Sequence, residues 1–362
     1  MPVANLLDAL LRGPTWVVAR AEPGLGRLTE SVSLATILAN ASPHLPMRFY
    51  TSPAAVPLAR RLLSRPVQPF ELGRGADPQQ TLIDSAGVQR LLLAVQRIRP
   101  AAVVVDGYPM LLPLLRAVSS TRLLVMANLH DLRNPAHSRG ARLLQEALHM
   151  SSDLILVSEL RRGWARGRIA QVPALRIPSL IRQGIPPNRR FRGEGPTPRV
   201  VAVMGGGSRG DILLKASDRA ILEALDGEVA CGRLPSCSVF AGGGLGAAES
   251  GFSHLEWGAD PADCLPALEQ ADLVVTRAGR STLAEVLASG RRAVAVIPRS
   301  DTLRGAEQAA NAAAAARLSP AVIPLPVAQL DLLPQACRRA QAAVPRSWEP
   351  GNAILLEALA AV

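Results

Sequence analysis

At 362 residues, 48% of them hydrophobic, the chain is long enough for two domains with substantial cores, which excludes a disordered or low-complexity protein. Its formal net charge of +11 is almost entirely arginine, Lys215 being the only lysine, and with 3% aromatics and arginines spread along the chain there is no base-stacking platform, so no nucleic-acid partner is expected. The four cysteines, Cys231, Cys237, Cys264 and Cys337, have neither CxxC spacing nor nearby histidines, so reduced thiols in a cytoplasmic protein are expected, with no metal site and no cofactor.

The N-terminus, MPVANLLDALLRG, has no basic leader and its short apolar run is broken by Asp8, so no signal peptide is expected. Strand-like apolar runs follow at TWVVAR (15–20), MRFYTS (47–52), AAVVVDG (101–107), RLLVMAN (122–128) and DLILVSE (153–159), with helical spacing between them. The most apolar stretch, 101–115, is interrupted by Asp106, Gly107 and two prolines and is too broken to span a membrane. PLARRLLSRPV (57–67) and LRRGWARGRI (160–169) interleave arginines with apolar residues. Such segments rest on anionic lipid or simply face water, so peripheral contact with the inner face of the membrane stays open.

Between about 172 and 199 the composition changes to dense Pro, Gly and Arg without sustained periodicity, which reads as an interdomain linker. Strand runs resume at RVVAVMG (199–205), SVFAGG (238–243), DLVVTRA (272–278) and AVAVIP (293–298). Strands alternating with helices imply parallel sheets covered on both faces, and the runs are too many for one sheet. The expected architecture is α/β: a Rossmann-like unit over 1–175, a linker over 176–198, a second Rossmann-like unit over 199–348, a short helix over 349–362, and a ligand cleft between the units.

The second unit opens on Gly205-Gly206-Gly207-Ser208-Arg209-Gly210, in which Gly205, Gly207 and Gly210 satisfy G-x-G-x-x-G. The next strand ends in Ala241 and Gly242 where a dinucleotide site wants an acid, and GK[ST] is absent, so what remains is a phosphate-sized anion site or a structural turn. ADLVVTRAGRSTLAEVLASG (271–290) runs a buried strand through a Gly-containing turn into a helix, leaving backbone N–H groups that attract an anion. Two such turns at the carboxyl ends of one parallel sheet can converge on a diphosphate. Trp257 and Gly258, just past a short strand, offer a ring for a base or belong to the core. Gln308 and Asn311 share a helix face, where amides hold sugar hydroxyls or are merely solvated.

The order GGGSRG, EWGADP, ADLVVTRAGRSTLAEVLASG and then an IP loop with EQAANA resembles the donor half of the bacterial peptidoglycan N-acetylglucosaminyltransferase family, nucleotide-sugar enzymes of the GT-B fold with a glycosyltransferase family 28-like C-terminal domain, over about residues 199–320. The resemblance implies two Rossmann-like domains facing across a cleft, the first for the acceptor and the second for the donor, with the last helix crossing back to the first. It implies a nucleotide-diphosphate sugar donor, UDP favoured, and a small-molecule, lipid or glycan acceptor. Glu285 would hold the ribose, and Ser208 with Arg277, Ala278, Gly279, Arg280, Ser281 and Thr282 the diphosphate, beside Gly205, Gly206, Gly207 and Arg209. Trp257 and Gly258 would face the base, and Gln308, with Asn311 beside it, the sugar.

The first half departs from that pattern. The family's Gly-rich turn ends in a catalytic Gly-His, whereas this chain has Gly24, Gly26 and then Arg27. MANLHDLRN resembles the family's loop after a strand and supplies His130 and Asp131; Glu22, before Pro23 and Gly24, is the other base candidate. The expected chemistry is inverting, metal-independent transfer: His130, Asp131 or Glu22 takes the acceptor's proton, and helix N-termini with nearby arginines stabilise the leaving phosphate. A cation at position 27 points to an acidic or phosphorylated acceptor, and leaves open a nucleotide-sugar hydrolase or an inactive nucleotide-sugar-binding partner.

Overall fold

The computed structural model describes residues 7–20, 25–70, 85–128, 132, 138–182, 199–205, 212–241, 251–258, 264–299 and 304–360. The first half builds an eight-stranded sheet from β1 (Thr15–Ala19), β2 (Met47–Thr51), β3 (Val67–Pro69), β4 (Ala102–Asp106), β5 (Arg122–Ala127), β6 (Leu154–Glu159), β7 (Ala165–Ile169) and β8 (Val172–Pro178), in the order β3-β2-β1-β4-β5-β6-β8-β7. Only β7 runs antiparallel to its neighbour. The second half builds a six-stranded, all-parallel sheet from β9 (Val200–Gly205), β10 (Cys237–Ala241), β11 (Glu256–Trp257), β12 (Leu273–Thr276), β13 (Arg292–Ile297) and β14 (Val322–Pro326), ordered β11-β10-β9-β12-β13-β14.

The helices are α1 (Leu25–Ala41), α2 (Val56–Leu62), α3 (Ala86–Ile98), α4 (Leu111–Val118), α5 (Arg139–His149), α6 (Ile212–Ala230), α7 (Leu265–Gln270), α8 (Arg280–Ala288), α9 (Arg304–Leu318), α10 (Leu333–Ala342) and α11 (Gly351–Ala360). They cover both faces of each sheet, which is why the strands read as continuous apolar runs instead of alternating ones. In β1, Val17 and Ala19 join the core beneath α1, while Trp16 and Val18 join the opposite core with α3 and α4. In β9, Val201 and Val203 pack on the side of α8 and α9, and Val200 and Ala202 on the side of α6 and α10. None of the described helices is long and apolar enough to cross a membrane.

Every strand run read from the sequence forms a strand, but five strands were not among them or were placed differently. β8 occupies the start of the Pro- and Arg-rich stretch taken for linker composition, and pairs with β6 inside the first sheet. It is joined to β7 by a two-residue turn in which Ala170 and Gln171 both adopt positive φ, 46° and 64°. Trp257 lies within β11 itself, with Gly258 next, where the sequence placed both just past a strand.

α11 packs on α1 and β8, so that Leu355 and Leu359 complete the first half's core. Its entry is tightly specified. A Cβ on Gly351 would lie 2.1 Å from the Pro178 carbonyl oxygen. Asn352 brackets Ile181, accepting from its N–H at 2.9 Å and donating to its carbonyl at 2.8 Å. Trp348, just before, donates its indole N–H to the Arg161 carbonyl at 2.7 Å.

Candidate functional site

The second sheet repeats the order of β1 to β6 in the first, with the direction of winding reversing between β1 and β4 and again between β9 and β12. In open α/β sheets ligands bind beyond the carboxyl ends of strands at such reversals. The residues the structure brings together across the two halves lie at those ends.

On the first side, β4 ends in Asp106, 2% exposed. Arg27 donates to its Oδ1 at 3.0 Å and Ser31 to its Oδ2 at 2.7 Å. Burial pushes the Asp106 carboxyl above the usual range, against the pull of Arg27 and Ser31. Gly107 follows with φ +77°, and a Cβ there would meet the Arg20 Cβ at 2.7 Å and the Arg27 Cδ at 3.0 Å; the glycine is what lets the two arginine stems pass the turn. Arg27, Glu30 and Ser31 are spaced three and four along α1 and so share its inner face.

Glu30, also 2% exposed, is where the two halves meet. Its Oε1 accepts from the Ser158 hydroxyl at 3.0 Å, and its Oε2 from Arg280 Nη2, at the start of α8, at 2.5 Å. Arg280 Nη1 donates to the Ser158 carbonyl as well. Burial raises the Glu30 carboxyl to about 7; the Asp106 charge adds to that, and Arg280, Ser158 and Arg27 oppose it. A second strut runs from the end of β5, where Asn128 donates to Glu307 on α9 at 2.6 Å.

On the second side, β12 runs into Arg277, whose guanidinium donates to Asp218 on α6 at 2.6 Å; both are largely buried. The turn is strained at Ala278, fully buried with φ 51°, and Asn311 donates to its carbonyl at 3.4 Å. Gly279 caps α8 with no side-chain hydrogen bond to the helix. The first N–H groups of α8 are therefore left to other acceptors. Ser281 donates to the Gly26 carbonyl at 3.2 Å, drawing the two helix starts together.

Glu285, inside α8, is held bidentately by Arg182, with Nε to Oε1 at 2.6 Å and Nη2 to Oε2 at 2.8 Å, and Cys264 Sγ lies 3.5 Å from Nη2. Burial would weaken the charge on Arg182, but the Glu285 carboxylate outweighs it and holds the guanidinium more firmly protonated than usual. Gln308 is 8% exposed and its Oε1 has no hydrogen-bond partner. Trp257 stacks on Phe252 at 6.4 Å between ring centroids, with its indole N–H unpartnered, and a Cβ on Gly258 would sit 2.3 Å from the Phe240 ring.

The structure thus brings Gly26, Arg27, Ala278, Gly279, Arg280, Ser281 and Asn311 to one place. Of the arginines read from the sequence as phosphate ligands, the two among the described residues are engaged: Arg277 with Asp218, and Arg280 with Glu30. Glu22, Gly24, His130, Asp131, Gly206, Gly207, Ser208 and Arg209 lie outside the described residues. Sequence reasoning missed Glu30, Asp106, Ser158 and Arg182. A carboxylate ending an otherwise apolar strand, as in AVVVD, was the available signal for Asp106.

Residues 262–333, which hold β12, α8 and α9, match the glycosyltransferase family 28 C-terminal domain. The chain carries a glycosyltransferase family 28 C-terminal domain on a GT-B fold. The fold is that of the spinosyn forosaminyltransferase SpnP (TM-score 0.62, 15% identity, 96% of this chain and 95% of that one). It is equally that of MurG from Acinetobacter baumannii (TM-score 0.60, 15% identity, 97% and 99%). The glycosyltransferase VinC, solved in complex with dTDP, aligns over 96% of this chain and 94% of its own at 14% identity and a TM-score of 0.57. No curated protein matches the chain by sequence.

Proposed function

We propose that this glycosyltransferase moves a sugar from a nucleotide-diphosphate sugar, UDP before dTDP, to an acceptor hydroxyl with inversion and without a divalent metal. The observation that carries the reading is the start of α8: a helix N-terminus without a side-chain cap, at the winding reversal of the second sheet, within the matched domain and against the first half. Helix N–H groups there offer a diphosphate what a divalent cation would otherwise supply.

In this reading the glycine turn Gly205 to Gly207 with Ser208 and Arg209 closes on the same diphosphate, Trp257 and Gly258 border the base, and Gln308 and Asn311 address the sugar. The buried Gln308 Oε1, lacking a partner, supports that last assignment. Glu285 keeps one lone pair on each oxygen beyond those Arg182 uses, and these accept ribose hydroxyls. The acceptor lies on the side of Gly24, Gly26 and Arg27, and its proton passes to Glu22, His130 or Asp131 as the hydroxyl attacks in line with the departing nucleotide. Peripheral seating on the inner membrane face is supported by exposed Leu143, Leu144, Met150 and Trp164, the last under the Arg166 guanidinium at 5.1 Å.

A thermal-shift panel with UDP, dTDP and GDP, each with magnesium and with EDTA, tests the donor site. A rise in Tm with one nucleotide, unchanged by EDTA, is expected. No shift with any of them, from protein that is folded by circular dichroism, would end the assignment.

A further inference from the structure

Arg280 occupies the first position of the helix whose N-terminus is the proposed diphosphate site, yet its guanidinium is bound to a carboxylate from the other half of the molecule. Nη2 meets Glu30 at 2.5 Å and Nη1 the Ser158 carbonyl, while its Nε is buried without a partner. The side chains of Arg280 and Glu30 are 9% and 3% exposed, so the pair is largely shielded from water and poorly screened. An anion arriving at the start of α8 and a carboxylate at position 30 want the same cation.

We propose that Glu30 is an internal stand-in for the donor's phosphate, so that the ligand displaces Glu30 from Arg280 and the released carboxylate takes up one proton from solvent. This deepens the donor-site reading and rests on it. Facing Glu30 are Arg280 from α8, Asp106 from β4, the Ser158 hydroxyl from β6 and Arg27 from α1, its own helix. Of the two cations, Arg27 already holds Asp106 at 3.0 Å. Removal of Arg280 leaves Glu30 buried beside the Asp106 carboxylate with only the Ser158 hydroxyl and a shared cation, a setting in which the neutral acid is favoured. The direction follows by linkage: if bound protein holds one more proton than free protein, affinity falls as pH rises. Glu30 already titrates at about 7 in the free form, so the effect falls in the neutral range.

The experiment is isothermal titration calorimetry of UDP, dTDP and inorganic pyrophosphate between pH 6 and 9, in buffers of different ionisation enthalpy, on the full chain and on Glu30→Gln and Arg280→Gln. For the wild type the expected result is a Kd that weakens by up to about tenfold per pH unit above neutrality, with close to one proton taken up. Glu30→Gln should bind more tightly than wild type at the alkaline end, with only the pH dependence and proton exchange that the ligand's own phosphate ionisation gives. Arg280→Gln should bind weakly and also lose the pH dependence, which keeps the test alive should Glu30→Gln fail to fold. Wild-type pH dependence persisting in both variants, or ligand binding with no proton uptake, overturns the proposal. Pyrophosphate binding with a proton uptake that Glu30→Gln abolishes, while both nucleotides fail, supports the Glu30 displacement and sinks the nucleotide reading. Failure of every probe on folded protein sinks both.

Discussion

The second sheet repeats the order of β1 to β6, yet the two sheets carry different side chains at the same topological place. Where the first winds back on itself, two buried carboxylates, Asp106 and Glu30, stand one beside the other, each held by a guanidinium and a hydroxyl. Where the second does so, the chain presents an uncapped helix start, a strained turn at Ala278 and a cation. One half buries its acids, and the other, in the proposed donor-site reading, opens its helix start to an anion. The comparison teaches that the scaffold fixes only where a site sits; Asp106 at the end of β4, Glu30 on α1 and the turn after β12 decide its sign.

The sharpest way to break the contrast is in the second half. Arg182→Met should leave the Glu285 carboxylate buried without its partner and lower the unfolding free energy by about 3–5 kcal/mol, read from the urea midpoint at constant slope, with Arg182→Met/Glu285→Leu recovering most of it. In the first half the expected signature is pH dependence. Folded Glu30 binds its proton more tightly than the unfolded chain, with its value raised from 4.5 to about 7, so stability falls as pH rises through that window and levels off above it. The full effect is about 3 kcal/mol, and Glu30→Gln should flatten the curve over that window, leaving the slope that Asp106 contributes in the same direction. Unchanged slope in that variant would show that the carboxylate pair is not what distinguishes the first half. Between the halves, Gly351→Ala forces a methyl group onto the Pro178 carbonyl and should cost about 1–3 kcal/mol by thermal unfolding.

Much of this architecture could be read from the chain, and its gaps have a physical pattern. The central strands, buried on both faces, are apolar and easily seen. β3, β7, β11 and β14 are the edges of the two sheets, where prolines, as in VQP and VIPLP, and charges, as in ARGRI, are tolerated because one side of the ladder is unpaired. The β7–β8 hairpin was hidden because its turn places Ala170 and Gln171 in a conformation that Gly and Asn usually announce. For the site, the start of α8 was legible from its Gly-containing turn. Glu30 was not, because a lone acid in a helix carries no local mark; only the approach of Arg280, 250 residues away in sequence, gives it meaning.

The docking of α11 on the first sheet also dictates an order of events during synthesis. Leu355 and Leu359 belong to the same core as Val17 and Leu28, so the first half leaves the ribosome with part of its interior missing, and the strands of the second sheet are all made before α11 arrives. Assembly of the amino-terminal half thus waits on the second, by a contact spanning more than three hundred residues, and its apolar seam stays uncovered until α11 has been made.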